Sequence, residues 1–188
     1  MVSRLVQFNL KVLLVAGAAA LVGCQSPEKK AEKSPALLRL HVETNLLPPG
    51  QSESVQVLRA APMTINVEKQ PFLYESQILA AQLIDTDDNF LIMIKFNQQG
   101  QWLLEQYTAS NLRRRLAVRA QFRISTNVFD RWIAAPLITK PIRDGVLSFT
   151  PDADRAEAKA MVQGWNNVAG FKDQDGSFSG KFSAAPTN

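Results

Sequence analysis

The sequence contains only one cysteine and one histidine among its 188 residues, and this scarcity excludes several kinds of site. A lone cysteine, Cys24, cannot build a disulfide framework within the chain. His41 is the single histidine, and with no second cysteine to join it a metal centre has little support. We therefore expect neither a bound metal nor a cofactor.

Sequence motifs for catalysis are missing too. The chain has no G-x-S-x-G turn, no phosphate-binding G-x-x-x-x-G-K and no dinucleotide fingerprint. The paired acids Asp87 and Asp88 fall in a predicted turn, where contact with water is the ordinary explanation. Acids that only folding brings together stay open as an alternative, because spacing along the chain does not exclude them. The expectation is a protein that is not an enzyme.

Excess charge is also small. The formal net charge is +4, and Arg4 and Lys11 near the N-terminus contribute two of these charges. The remaining excess is too small to favour nucleic acid as a partner. Hydrophobic residues make up 46% of the chain and charged residues 20%, which is ordinary for a folded globular domain.

No apolar run reaches the length of about 20 residues that a membrane-spanning helix needs. The run at 12–22 is shorter and follows two basic residues, as in a signal peptide. It closes with Leu21-Val22-Gly23-Cys24, which resembles the bacterial lipoprotein box. That resemblance implies cleavage before Cys24, acylation of its thiol and attachment to a membrane there. The alternative is ordinary secretion, with cleavage after Ala20 and Cys24 left as a free thiol.

Composition divides the rest of the chain. Residues 1–23 are the predicted signal peptide, and 24–35 form a charged, proline-containing tether. Residues 36–169 are the predicted folded domain, and 170–188 are a Gly- and Ser-rich tail. Gln25 follows the cysteine, where in the enterobacterial family an Asp favours the inner membrane. We therefore expect a cell-envelope protein that faces the periplasm, with the outer membrane favoured.

The stretch 89–122 has the pattern strand, helix, strand. Apolar residues alternate from Phe90 to Phe96, take roughly helical spacing from Leu103 to Leu112, and alternate again from 116 to 122. Such a unit buries one face of a sheet under a helix. A second helix is predicted after Asp154, because Asp154 and Glu157 have capping-box spacing. Its stripe of apolar residues is expected in the core: Ala158, Met161, Val162, Trp165 and Val168.

The remaining pattern is that of strands and turns, so we predict an α+β fold. This fold has two layers, with a mainly antiparallel sheet and two helices on one face. In the first strand His41 alternates with apolar residues, so it is expected on the polar face as a surface histidine. Strands are predicted at 38–42, 54–58, 63–68, 131–138 and 146–149, with a hairpin turn at 85–89 and a loop or hairpin tip at 123–130.

Residues 72–168 carry a family resemblance. The motifs are PFLYESQILAAQ, FNQQGQWLLEQYTASN, RRRLAV, IAAPLITKPI and a closing F-T-P before an acidic-capped helix. In this combination and order they resemble the head subdomain of the first periplasmic domain of SecD, a protein-export membrane protein. Two departures are the Leu112-Arg113 pair, where the family usually has Gly, and the longer segment 123–130. The resemblance implies an α+β fold and contact with other polypeptides.

Two functions follow as expectations. One is a non-catalytic, lipid-anchored binding or scaffold protein of the cell envelope that contacts a protein or peptide; the alternative is an accessory factor of protein export. The predicted binding surface is the sheet face opposite the helices, whose mixture of Met, Trp and long basic side chains suits a polypeptide. A plain solvated face is the competing interpretation. The surface comprises Met93, Lys95, Arg119, Gln121, Arg123 and Trp132.

The triplet Arg113-Arg114-Arg115 is the densest basic feature of the sequence. Placed at a helix C-terminus, it would oppose the negative end of the helix dipole, at roughly 0.3–1 kcal/mol for each cation. The competing interpretation is a patch for lipid headgroups or an acidic partner. We expect the structural role.

Overall fold

The structure of the protein is a computed structural model, which describes residues 34–45, 50–59 and 61–170. The predicted signal peptide, Cys24 with most of the tether, and nearly all of the predicted tail lie outside these residues. The secondary structure runs from Leu37 to Val168, and a short 3-10 turn at Glu75–Gln77 precedes β5. The elements are β1 (Leu37–Val42), β2 (Ser52–Val57), β3 (Met63–Glu68), β4 (Leu73–Tyr74), β5 (Ile78–Asp85), β6 (Phe90–Phe96), α1 (Gln98–Ser110), β7 (Leu116–Ile124), β8 (Asn127–Ala134), β9 (Val146–Phe149) and α2 (Arg155–Val168).

The strands pair antiparallel throughout, so the predicted α+β class is confirmed. A four-stranded sheet has the order β4-β1-β7-β8, and a three-stranded sheet has the order β5-β6-β9. The third pairing is a separate β2–β3 hairpin. The strand–helix–strand unit is present as β6, α1 and β7, but its two strands belong to different sheets. They separate because β6 pairs with β5 and β9, whereas β7 pairs with β1 and β8.

One apolar core joins the inner faces of both larger sheets to the helices. Ile92 and Ile94 from β6, and Val118 and Phe122 from β7, are fully buried in it. Helix α2 contributes Ala158, Met161 and Trp165, and Val162 packs against the core at its edge, as the stripe predicts. Val168 is 37% exposed, because it lies in the last turn of the helix.

Helix α2 passes very close to the start of β1. A Cβ atom added at Gly164 would lie 2.5 Å from the Cβ of Ala36 and 2.7 Å from its backbone nitrogen. The Trp165 Nε1–H donates to the carbonyl of Leu37 at 3.2 Å. A side chain at position 164 therefore has no room unless the helix and β1 move apart.

Helix α2 also closes one edge of the three-stranded sheet. The amide oxygen of Asn166 accepts from the backbone N–H of Ala81 at 2.8 Å, and its amide nitrogen donates to the Ala81 carbonyl at 3.0 Å. Ala81 lies in β5, an edge strand. A single side chain thus pairs with this residue as a neighbouring strand would.

Helix ends and turns confirm some local expectations and correct others. Asp154 and Glu157 form the predicted capping box. The arginine triplet 113–115 lies beyond the last turn of α1, because the helix ends at Ser110 and Asn111 caps it. The arginines therefore do not oppose the helix dipole in the way expected. The segment 123–130 is mostly strand, since β7 and β8 pair up to Ile124 and Asn127 around a tight turn.

The β2–β3 hairpin packs on the outer face of the four-stranded sheet, the face turned away from the main core. It forms a second apolar cluster there, in which Val57, Val67 and Ala117 are fully buried. The hairpin is joined to the end of β1 by a Glu43–Val67 bridge and by the Thr44 N–H, which donates to the Asn66 carbonyl at 2.8 Å. The outer face is consequently covered over part of its length and open over the rest.

His41 lies under this hairpin, so its expected place at the surface is wrong. The alternation in β1 puts it on the outer face as predicted, but the residue is only 2% exposed. Alternation assigns a side chain to a face of a strand and does not reveal that a hairpin from elsewhere in the chain covers that face.

Candidate functional site

The six predicted surface residues fall on two sheets. Arg119, Gln121 and Arg123 lie together on the outer face of the four-stranded sheet, where Arg119 pairs with Trp132 across β7 and β8. Met93 and Lys95 lie on β6 of the three-stranded sheet. The structure therefore brings four of the six together and places the other two on a separate sheet.

Arg119 is held in place by an acid and an indole. Its guanidinium donates to both carboxylate oxygens of Asp130, at 2.7 and 3.1 Å, and lies 5.8 Å from the centroid of the Trp132 ring. The hydrogen bonds to Asp130 raise the pKa of Arg119 further above its ordinary value. These contacts already occupy both side chains. Arg119 and Trp132 therefore have a structural role in this face, whether or not they also contact a partner.

The open part of the outer face forms a groove of about 310 Å³. Arg123 and Val128, which pair across the β7–β8 hairpin, are exposed, Val128 by 51%. Ser34 and Pro35 bring the chain into the domain on the other side of β7, because Leu37 pairs with Gln121. The groove is lined by Ser34, Pro35, Leu37, Gln121, Phe122, Arg123 and Val128. It thus combines apolar walls, an amide and one exposed cation at the place where the chain enters.

Met93 and Lys95 belong to a different surface. The outer face of the three-stranded sheet carries half-buried apolar residues such as Ile84 and Leu91, and Met93 pairs there with Gln82 and Ser148. The Lys95 ammonium donates to the carbonyl of Asp144 at 2.5 Å, so it is tied to the turn before β9. These two residues therefore lie apart from the groove on the four-stranded sheet.

His41 is enclosed by groups from β3 and β8. Its Nδ1 lies 2.7 Å from the carbonyl oxygen of Glu68, and its ring meets the Trp132 ring edge-on with centroids 4.9 Å apart. Burial lowers the pKa of His41 below its ordinary value of 6.5, against the opposing effect of the hydrogen bond to Glu68. The ring is therefore neutral at pH 7.

Sequence reasoning missed an ionic cluster at the N-terminus of α2. Glu157 is only 5% exposed, and its carboxylate accepts hydrogen bonds from the guanidinium groups of Arg59, at 3.1 Å, and of Arg131. Arg131 also donates to the carbonyl of Asp152, whose carboxylate accepts from the Arg59 N–H. Glu157 was expected only to cap its helix, and nothing local in the sequence indicates arginines 98 and 26 residues away.

Within the part of the chain that the structure describes, no group of three or more His, Cys, Asp or Glu residues is placed to hold a metal ion. In the same residues no helix is both long enough and apolar enough to span a membrane.

Solved structures of SecDF are similar to this chain. One, of a membrane component SecDF that enhances protein export, matches with a TM-score of 0.52 and 15% identity over 78% of this chain and 71% of that one. SecDF in a super-membrane-facing form matches with a TM-score of 0.49 and 14% identity, over 77% of this chain and 20% of that one. SecDF from Thermus thermophilus, a translocon-associated membrane protein, matches with a TM-score of 0.38 and 14% identity, over 87% of this chain and 34% of that one.

These similarities concern the fold, because the sequences are too different to carry more. No family model and no curated protein matches the sequence. The similarity to the first SecDF structure agrees with the resemblance that the motifs of residues 72–168 indicate. The chain has a SecD-like α+β fold.

Proposed function

We propose that this chain is a non-catalytic binding protein of the cell envelope, attached to a membrane by acyl chains on Cys24, and that it contacts another polypeptide. The lipoprotein-box resemblance at 21–24 supports the anchor, and Gln25 favours the outer membrane. The groove on the four-stranded sheet is the observation that supports the polypeptide contact.

The chemistry of the groove favours an extended peptide segment with an apolar and an acidic side chain. Leu37, Pro35 and the exposed Val128 offer apolar contact, and Arg123 offers a cation to a carboxylate. The groove is shallow and open, whereas a small-molecule site ordinarily encloses most of its ligand. A peptide that lies along the sheet face fits this shape better.

Site-specific photo-crosslinking in intact cells tests this proposal. A photoreactive residue at Val128 should capture a polypeptide, whereas one at Leu137, which is 50% exposed but outside the groove, should not. Mass spectrometry then identifies the captured chain. Equal capture at both positions, or no captured polypeptide at position 128, would contradict the assignment of the groove.

A matched pair of variants gives the second arm. With the photoreactive residue at Gln121, the double change Arg123→Glu and Val128→Ser should reduce capture at least about tenfold, because it removes the cation and the apolar contact. The control Lys140→Glu with Leu137→Ser makes a corresponding charge reversal and apolar-to-polar change at exposed residues outside the groove and should leave capture unchanged. Arg119→Glu is unsuitable, because it would place a second acid beside Asp130.

The second candidate is an accessory factor of protein export. It is favoured by the similarity of this fold to the SecDF structure whose protein enhances protein export. Capture of a component of the export channel at position 128 would select it, and capture of one envelope protein would select the first candidate.

A further inference from the structure

Besides its bridge to the end of β1, the β2–β3 hairpin is held at two separated places. At its base, the Glu68 carbonyl at the end of β3 meets His41 Nδ1 at 2.7 Å. At its tip, Arg59 contacts Asp152 and Glu157 at the N-terminus of α2. Between them lies the small second apolar cluster, which is separate from the main core. The hairpin can therefore lift from the sheet without disturbing the main core.

The hydrogen bond at the base fixes the tautomer of His41. A carbonyl oxygen only accepts, so Nδ1 carries the hydrogen and donates it to Glu68. In the neutral ring Nε2 then has a lone pair, and this atom is buried without a hydrogen-bond partner among the described residues. Protonation would place an N–H and a positive charge at Nε2, which has no acceptor within the described part of the chain. A buried donor of that kind opposes the closed position of the hairpin.

The charged groups that act on His41 lie on β1, β2 and β7. Arg39 on β1 and Arg119 on β7 disfavour an imidazolium, while Glu53 on β2 favours it. On β3 the contact is the Glu68 carbonyl, and on β8 it is the Trp132 ring, while Asp130 on β8 is paired with Arg119. Burial outweighs the favourable contacts, so the pKa of His41 is lowered in the closed arrangement.

We propose that the β2–β3 hairpin is a lid over part of the outer face of the four-stranded sheet, and that protonation of His41 opens it. Opening would uncover the strip formed by Ala117, Trp132 and Ala135, which continues the open part of the same face. This proposal concerns the hairpin alone and holds whether or not the groove binds a polypeptide.

The direction of the pH effect follows from linkage. The closed form has the lower pKa, so the open form binds more protons at intermediate pH. The lid is therefore closed above the ordinary histidine value of 6.5 and opens increasingly as the pH falls through and below it. Carboxyl groups ordinarily titrate near 4, so the range from about pH 5 to 7.5 isolates the histidine.

Two measurements on the full chain in a non-ionic detergent test this inference together. Because the chain has one histidine, a single imidazole Cε1–H resonance reports the pKa of His41 directly by NMR. Hydrogen exchange read by mass spectrometry, corrected for intrinsic amide chemistry, reports opening of β2 and β3. As the pH falls from 7.5 to about 5, the opening of the hairpin should increase by up to about tenfold for each unit by which the measured pKa of His41 lies below 6.5. Peptides from β5 and β6 should show no such change.

Variants separate the two attachments of the lid. His41→Gln retains a donor toward Glu68 but cannot titrate, so exchange in the hairpin should lose its pH dependence. Arg59→Gln loosens the tip and should raise exchange equally at both pH values. If His41→Gln fails to fold by circular dichroism, the two wild-type measurements decide alone. A His41 pKa at or above 6.5, or hairpin exchange that is independent of pH, would overturn the proposal.

Discussion

Replacing Glu157 by alanine should strongly destabilise the domain, because this buried carboxylate accepts hydrogen bonds from several donors. One oxygen accepts from the backbone N–H of Asp154 at 3.0 Å, from Arg59 at 3.1 Å and from Arg131. The Arg131 side chain is 17% exposed, and its Nε is already buried without a partner among the described residues. Loss of the acid leaves this cation nearly buried and unpaired.

The magnitude is set by Arg131. Removing one partner of a buried ion pair costs about 3–5 kcal/mol, and the lower end applies here because Arg131 keeps its hydrogen bond to the Asp152 carbonyl. The lost capping contact adds about 1 kcal/mol. Arg59 is 59% exposed, so its contact with Glu157 adds at most about 1 kcal/mol. We expect Glu157→Ala to lower the free energy of unfolding by about 4 kcal/mol.

Urea unfolding of the full chain in a non-ionic detergent, followed by circular dichroism, measures this loss. Glu157→Gln keeps an acceptor for the Asp154 N–H but not the charge, so its loss should fall to about 3 kcal/mol. The control is Arg59→Ala, which removes the exposed partner alone and should cost below about 1 kcal/mol. If Glu157→Ala costs no more than Arg59→Ala, the buried pair with Arg131 does not stabilise the fold as reasoned.

Two further outcomes are expected at other positions. Gly164→Ala gains about 1 kcal/mol of helix propensity, but the new methyl group overlaps Ala36, where overpacking costs about 1–3 kcal/mol. Urea unfolding should therefore show a net loss of stability, and adding Ala36→Gly should restore part of it. A Gly164→Ala protein more stable than wild type would refute the close approach. Cys24→Ser should abolish incorporation of labelled fatty acid and release the protein from membranes, and unchanged membrane partition would refute the anchor.

Local patterns in the sequence predicted most of the elements correctly. The alternation in β1 and β7, the apolar stripe of α2 and the Asp154–Glu157 capping box each depend on residues close together in the chain. Period and capping chemistry are properties of a few successive residues, so they can be read without knowing the fold.

What the sequence did not reveal depends on residues far apart. His41 was placed on the correct face of its strand, but its burial depends on Glu68 and Trp132, 27 and 91 positions away. The division of β6 and β7 between two sheets likewise depends on pairing with β9 and β1. In the candidate site, Arg119, Gln121 and Arg123 share a face as alternation predicts, whereas Met93 and Lys95 do not join them because β6 entered another sheet.

The hydrogen bonds of Asn166 have a consequence for self-association. An exposed strand edge is a template on which a second chain can extend the sheet, and such growth is a common route to aggregation. At β5 the Asn166 amide already occupies the N–H and the carbonyl of Ala81, so an incoming strand would have to displace it. The opposite edge of this sheet, β9, is only four residues long and offers a short template. The three-stranded sheet is therefore protected against edge-to-edge growth at both sides, by a side chain at one and by brevity at the other.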